Sequence, residues 1–168
     1  MYKVFVWTVA VIGALGLSAC FKKDTCPAIE YTNPTAAELE SLAQFVAELD
    51  EDAVFDPRGF YYRIVKEGTA NKPGICSDIF SNWECTNGDN VIYYQSGTDN
   101  LRRVFDLSHQ PYVWRMAFPM VGMGGEIIVY APPSLQKGYN LTKAAMHIES
   151  TASKDANVVY KLSLIRYN

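Results

Sequence analysis

The sequence predicts an α+β domain: a twisted antiparallel sheet wrapped on a short helix, with a further helix ahead of it. Three observations carry the prediction. One long amphipathic pattern stands near the start of the folded part, at 36–49. Behind it, short segments with period-two alternation recur between Gly, Pro and Asn turn signals, the mark of sheet rather than of repeated βαβ units. A short apolar helical piece carrying Trp114 falls between two of those strands. The 168 residues suit one domain, and no internal repeat is visible.

Residues 1–19 are excluded from that fold. Met1-Tyr-Lys3 is a short positive start, and Val4 to Leu17 is an apolar run of 14 residues, short for a bilayer span. Leu17-Ser18-Ala19-Cys20 then places small residues at a cleavage point, so the segment reads as a secretory signal peptide. The same quartet resembles a bacterial lipobox, which implies cleavage before Cys20 and lipid on its thiol. The plainer alternative is an ordinary signal peptide that ends near a cysteine.

The remaining chain, 20–168, has 149 residues, enough for one well-buried core. It carries 14 basic against 18 acidic residues with no basic stripe, which argues against a nucleic-acid partner. Export places its cysteines in an oxidising compartment. With Cys20 lipidated, Cys26, Cys76 and Cys85 remain, so one disulfide and one spare thiol are expected. Cys76 and Cys85 fall at the two ends of one predicted strand, too far apart to bond if it is extended. Cys26–Cys76 is the better pair, although spacing alone does not fix connectivity.

In chain order, 20–34 is polar, contains Pro27, and reads as a tether. Thr35-Ala-Ala-Glu38 is a capping box. Leu39, Leu42, Phe45, Val46 and Leu49 follow at helical spacing, so 36–49 is predicted as a helix, with Asp50-Glu-Asp52 opposing its dipole and ending it. Asp56-Pro-Arg-Gly59 is a turn. Gly59 to Val65 alternates with Phe60, Tyr62 and Ile64 on one face, and Cys76 to Trp83 with Ile79, Ser81 and Trp83 on one face; both read as strands. Asn87-Gly88 is a strong hairpin signal, and Val91 to Tyr94 continues as a strand. A polar loop spans 96–103. Val104 to Leu107 is a short strand, and Glu126 to Ala131 a longer one after Gly124-Gly125. A proline-capped loop runs from Pro132 to Gly138, and 139–155 is irregular. Asn157 to Tyr167 closes the chain as a strand, with Val158, Tyr160, Leu162 and Leu164 on one face.

Few residues offer chemistry on their own. His109 and His147 lack ligand spacing, and Ser108-His109 has no assembled triad around it. Asn140-Leu-Thr142 matches a glycosylation acceptor pattern, which a bacterial lipoprotein would rarely use. Trp114, Phe105 and Tyr160, read alone, are ordinary core aromatics.

Their order adds a resemblance. The stretch from Phe105 to Gly138, with Trp114, Gly124-Gly125, the strand to Ala131 and Pro132-Pro133 in sequence, resembles the middle of an FKBP-type peptidyl-prolyl isomerase. Gly59-Phe-Tyr-Tyr62 and Gly68 to Pro73 stand where that family opens with a Gly-x-x-Tyr strand and a Gly-x-x-Pro loop. The helix, Asp56-Pro-Arg-Gly59 and Cys76-Ser77 are similar to lipoprotein members from the Bacteroidetes group. The resemblance implies an FKBP-like fold over 56–168 behind the helical segment 35–55. It also implies a substrate pocket formed by Trp83, Val91, Ile92, Phe105, Pro111, Trp114, Lys137 and Tyr160. Trp114 would be its floor, beneath a shallow cavity, with Lys137 at the rim. Implied partners are proline-containing unfolded or exported polypeptides and, through the Cys20 lipid, a membrane of the cell envelope. No cofactor or metal is called for.

The pocket departs from the family pattern. Val91-Ile92 replace a Phe-Asp, Gln110-Pro111 replace a Val-Ile, and Lys137 replaces the Tyr of an Ala-Tyr-Gly. Rotation about an X–Pro bond meets a barrier of about 18–20 kcal/mol. A dry aromatic pocket that prefers the twisted amide lowers it without a nucleophile. The lost Asp and Tyr groups each remove a hydrogen bond worth roughly 0.5–1.5 kcal/mol, which implies a weakened isomerase. A noncatalytic chaperone or protein-binding lipoprotein on the same fold is the alternative.

Overall fold

The computed structural model describes residues 32–96, 104–137 and 156–168. The signal peptide, Cys20, Cys26, most of the tether, the 97–103 loop, Gly138, Asn140, His147 and the rest of 139–155 lie outside those residues. Helix α1 covers Ala36–Leu49, the span its pattern predicts. Both halves of the capping box are present: Glu38 N–H donates to Thr35 Oγ1 at 3.2 Å, and Thr35 N–H donates to Glu38 Oε2 at 2.8 Å. Asp50 ends the helix as its C-cap.

Among the described residues seven strands follow: β1 Val54–Asp56, β2 Phe60–Lys66, β3 Asp78–Thr86, β4 Ile92–Gln95, β5 Val104–Asp106, β6 Glu126–Ala131 and β7 Val158–Tyr167. They form one antiparallel sheet in the order β1-β2-β6-β7-β3-β4, with β5 pairing β3 off that path. Helix α2, Tyr112–Ala117, lies on the concave side and carries Trp114; a 3-10 turn at Phe118–Met120 continues it.

The sheet alternates as period two requires. Phe60, Ile79, Ile127, Val129, Tyr160, Leu162 and Leu164 point into the main core with α2, while Tyr130 and Val159 face the other way. An antiparallel sheet can leave that second face wet. Here α1 covers part of it, burying Leu42 and Val46 against Tyr130 and Val159. Polar contacts fix both helix ends. Asp50 accepts from Tyr130 Oη at 2.6 Å and Arg63 Nε at 2.7 Å, and Glu38 Oε1 accepts from Ser134 N–H at 2.9 Å. Burial alone would raise the Asp50 pKa, but the Tyr130 and Arg63 hydrogen bonds and the Arg63 charge hold it below the usual carboxylate range.

Several boundaries differ from the sequence reading, for stateable reasons. β1 was not expected. It forms because the Asp56–Gly59 turn is a hairpin turn: Gly59 sits at φ 97°, and the Asp56 carboxylate binds the N–H and the guanidinium of Arg58. β3 starts at Asp78 rather than Cys76 and runs to Thr86, because its ladder with β7 extends from Ile79↔Tyr167 to Thr86↔Val159. The hairpin after β3 exists, but not as a two-residue Asn-Gly turn. Asn87 Oδ1 accepts from the N–H groups of Asp89 and Val91, and the left-handed residue is Asn90 at φ 58°. Leu107 opens a 3-10 turn, Leu107–His109, instead of ending β5.

Candidate functional site

α2 projects Trp114 into the concave side of the sheet, where rings from three strands and the following turn meet it. Trp83 of β3 stands edge-on with centroids 4.7 Å apart and planes at 70°. Tyr160 of β7 is T-shaped at 5.6 Å, and Phe105 of β5 is tilted at 5.6 Å. Phe118 adds a further edge contact at 6.0 Å and also touches Phe105. Such tilted and T-shaped pairs each contribute about 0.5–1.5 kcal/mol beyond area burial.

The cluster is apolar but not free of polar groups. Trp114 Nε1 is buried and finds no hydrogen-bond partner among the described residues, and Tyr160 Oη is buried beside the Cys85 thiol. Burial first, and the Cys85 thiol beside it, push the Tyr160 phenol well above its usual pKa, so it remains a protonated donor. A buried donor left unmade costs roughly 1–3 kcal/mol.

Four of the eight expected pocket residues, Trp83, Phe105, Trp114 and Tyr160, are thus brought together. The expected open floor is not seen. Trp114 is only 1% exposed, because the rings of Trp83, Phe105, Phe118 and Tyr160 pack around it. Val91 and Ile92 are 53% and 52% exposed and do not join the cluster. The cause is local: Val91 belongs to the Asn87 loop, and a register shift between Cys85 and Thr86 sets the phase of β4. Tyr93 packs against the core instead. Pro111 is buried and is the N-cap of α2, its carbonyl accepting from Trp114 N–H at 2.9 Å and Arg115 N–H at 3.2 Å. Lys137 is exposed at the end of the 3-10 turn Pro133–Gln136, so it meets no burial penalty, and its carbonyl accepts from Tyr112 N–H at 2.8 Å.

Tyr93, Tyr112 and Arg115 join this region beyond the residues that the sequence points to. Tyr112 is half-buried under the guanidinium of Arg115, 4.8 Å from ring centroid to Cζ, and Arg115 Nε donates to Gln110 O at 2.8 Å. The 3.6-residue phase of α2 places Arg115 beside Trp114, and a lone Arg in an apolar run is the signal that was available. Ser108 and His109 make no hydrolytic relay. Ser108 Oγ and His109 Nδ1 both engage Asp106, at 2.7 and 2.9 Å, whereas a relay places histidine between the other two through different ring nitrogens. Burial would raise the Asp106 pKa, but the Ser108 and His109 contacts hold it low.

Cys76 is in a disulfide whose partner lies outside the described residues, and Cys85 carries a buried, reduced thiol. Among the described residues no group of three or more His, Cys, Asp and Glu side chains is gathered for a metal ion. Among them, too, no helix is long and apolar enough to cross a membrane.

No protein-family model and no curated protein matches the sequence. Solved structures do match the fold. FkpA from Escherichia coli superposes with TM-score 0.62 at 20% identity over 79% of this chain, which spans 58% of FkpA. A peptidyl-prolyl cis-trans isomerase from Pseudomonas syringae pv. tomato gives 0.58 at 18% identity, over 83% of this chain and 99% of that one. AtFKBP13 gives 0.56 at 12% identity, over 69% and 98%. With an antiparallel sheet wrapped on the short Trp114 helix, and α1 added in front, this chain has the FKBP-like α+β fold.

Proposed function

We propose that the protein is a peptidyl-prolyl cis-trans isomerase that acts on proline-containing segments of exported polypeptides, held in the cell envelope by lipid on Cys20. The observation that carries this reading is the ring cluster of Trp83, Phe105, Phe118 and Tyr160 around Trp114, on the concave side of an FKBP-like sheet. Two of the similar structures are named as a peptidyl-prolyl isomerase and as an FKBP. The chemistry asks only for a dry aromatic surface that favours the twisted amide, since differential binding supplies the rate.

One observation favours a second reading, a noncatalytic peptide-binding module. Trp114 is 1% exposed within its ring cluster, so proline reaches the ring only if a neighbouring side chain such as Trp83 moves. A protease-coupled assay with a prolyl peptide on residues 21–168 separates the two. Catalysis that disappears in Trp114→Ala supports the isomerase. Binding without catalysis supports the module, and neither activity overturns both.

A further inference from the structure

Glu38 serves two elements at once. One carboxylate oxygen accepts from Thr35 N–H at 2.8 Å and closes the α1 capping box. The other accepts from Ser134 N–H at 2.9 Å, 96 residues further along the chain. A carboxylate has two acceptor oxygens and so can take both donors, where an amide has one. Burial would raise the Glu38 pKa, but the Thr35 and Ser134 hydrogen bonds hold it below the usual range, so both oxygens remain acceptors at neutral pH.

Ser134 belongs to the 3-10 turn Pro133–Gln136, which ends at Lys137. Gln136 Nε2 holds that turn from the other side, donating to Ala131 O at 3.2 Å and Ala156 O at 2.8 Å. The Lys137 carbonyl accepts from Tyr112 N–H, the first residue of α2. The first N–H groups of any helix lack partners inside it. α2 has six residues and begins after Pro111 with no side-chain cap. A helix that short has little stability of its own, so its placement depends on contacts such as the one from Lys137 O.

We infer that Glu38 is a positioning residue of the Trp114 site: it holds the Pro133–Gln136 turn, whose Lys137 carbonyl caps the helix that carries Trp114, and so tunes the affinity of the site for a prolyl segment. The ligand in this statement rests on the proposed prolyl-peptide reading; the relay from Glu38 to Tyr112 does not. α1 is then part of the site and not an appendage to the sheet.

The test uses the full chain and two readouts, amide hydrogen exchange at Tyr112 normalised to Val129, and the Kd for a tetrapeptide with a central proline. Glu38→Ala is expected to speed Tyr112 exchange about tenfold and to weaken the peptide about three- to tenfold, the range of one hydrogen bond. Glu38→Gln, with one acceptor oxygen, falls between it and the wild type. Thr35→Ala weakens the α1 cap but leaves the Ser134 contact, so it lowers Tm without moving either readout. Ser134→Ala keeps the N–H that Glu38 binds and loses only the hydroxyl beside the carboxylate, so it moves both readouts less than Glu38→Ala does. Unchanged Tyr112 exchange in both Glu38 variants overturns the relay, as does an equal response in Thr35→Ala. If the wild type binds no prolyl peptide, the functional reading and the affinity claim fall together, and the exchange arm still decides the relay.

Discussion

Trp83 and Trp114 come from different elements and meet edge-on at 4.7 Å, and Trp83 is the half-buried ring among those that leave Trp114 1% exposed. Trp83→Ala should therefore uncover Trp114. In residues 21–168 Trp114 is then the remaining tryptophan, and its acrylamide quenching should rise clearly while stability falls by about 2 kcal/mol, less than for a fully buried Trp because Trp83 is half-buried. Quenching as weak as expected for a buried indole would show that other groups cover the ring.

The Asp50 contacts give a signed pH prediction. The folded pKa of Asp50 is held below its unfolded value, near 3.9 for an ordinary aspartate. Its contribution is therefore complete above roughly pH 5 and is lost as pH falls through the folded value. Asp50→Asn should lower stability at pH 7 by about 2 kcal/mol, since hydrogen bonds to a charged group are being weakened. Urea midpoints measured at pH 7 and pH 2.5 should show the gap between wild type and variant narrowing in acid. A gap of constant size would mean that the carboxylate charge contributes nothing.

Cys76 is oxidised, and the sequence reading pairs it with Cys26. A closed loop of about 50 residues is worth roughly 4 kcal/mol on the chain-entropy account. Peptide mapping of the unreduced protein should give a Cys26–Cys76 fragment, and reduction should lower the urea midpoint. A fragment joining Cys76 to Cys20 would overturn the lipid assignment along with the pairing.

Lipid at Cys20 is tested by fractionation. The wild type should sediment with membranes and incorporate labelled palmitate, and Cys20→Ser should lose both properties or accumulate unprocessed. Unchanged sedimentation of Cys20→Ser would remove the lipoprotein reading.

Much of the fold was legible where local chemistry decides. The Thr35–Glu38 capping box marked the start of α1, and the alternation of β7 put Val158, Tyr160, Leu162 and Leu164 on the core face. What was illegible depends on partners. β1 is three residues long and exists through β2. The register shift opposite Cys85/Thr86 decides where β4 points its side chains, and no residue type in 87–92 announces it. The candidate site divides the same way. Trp83, Phe105 and Tyr160 around Trp114 could be named from the family resemblance, but how tightly they and Phe118 close on it is a packing outcome, as is the long-range contact from Glu38 to Ser134.

Lys137 gives the last prediction. Its side chain is exposed at the end of the Pro133–Gln136 turn, while its carbonyl fixes Tyr112, so the side chain is replaceable without disturbing the backbone contact. The resemblance to FKBP-type isomerases implies a tyrosine at this place, whose hydroxyl orients the substrate. One restored hydrogen bond is worth roughly 0.5–1.5 kcal/mol, and about 1.4 kcal/mol is tenfold in rate. Lys137→Tyr should raise kcat/KM for a prolyl peptide by up to about tenfold, at unchanged Tm. A hydroxyl that acts only in the twisted state would appear in kcat, and one that merely holds substrate would appear in KM. Lys137→Phe separates the hydroxyl from the ring: equal gains in both variants would assign the effect to apolar surface. No gain in either, in a wild type that is active, would show that residue 137 does not face the bound peptide.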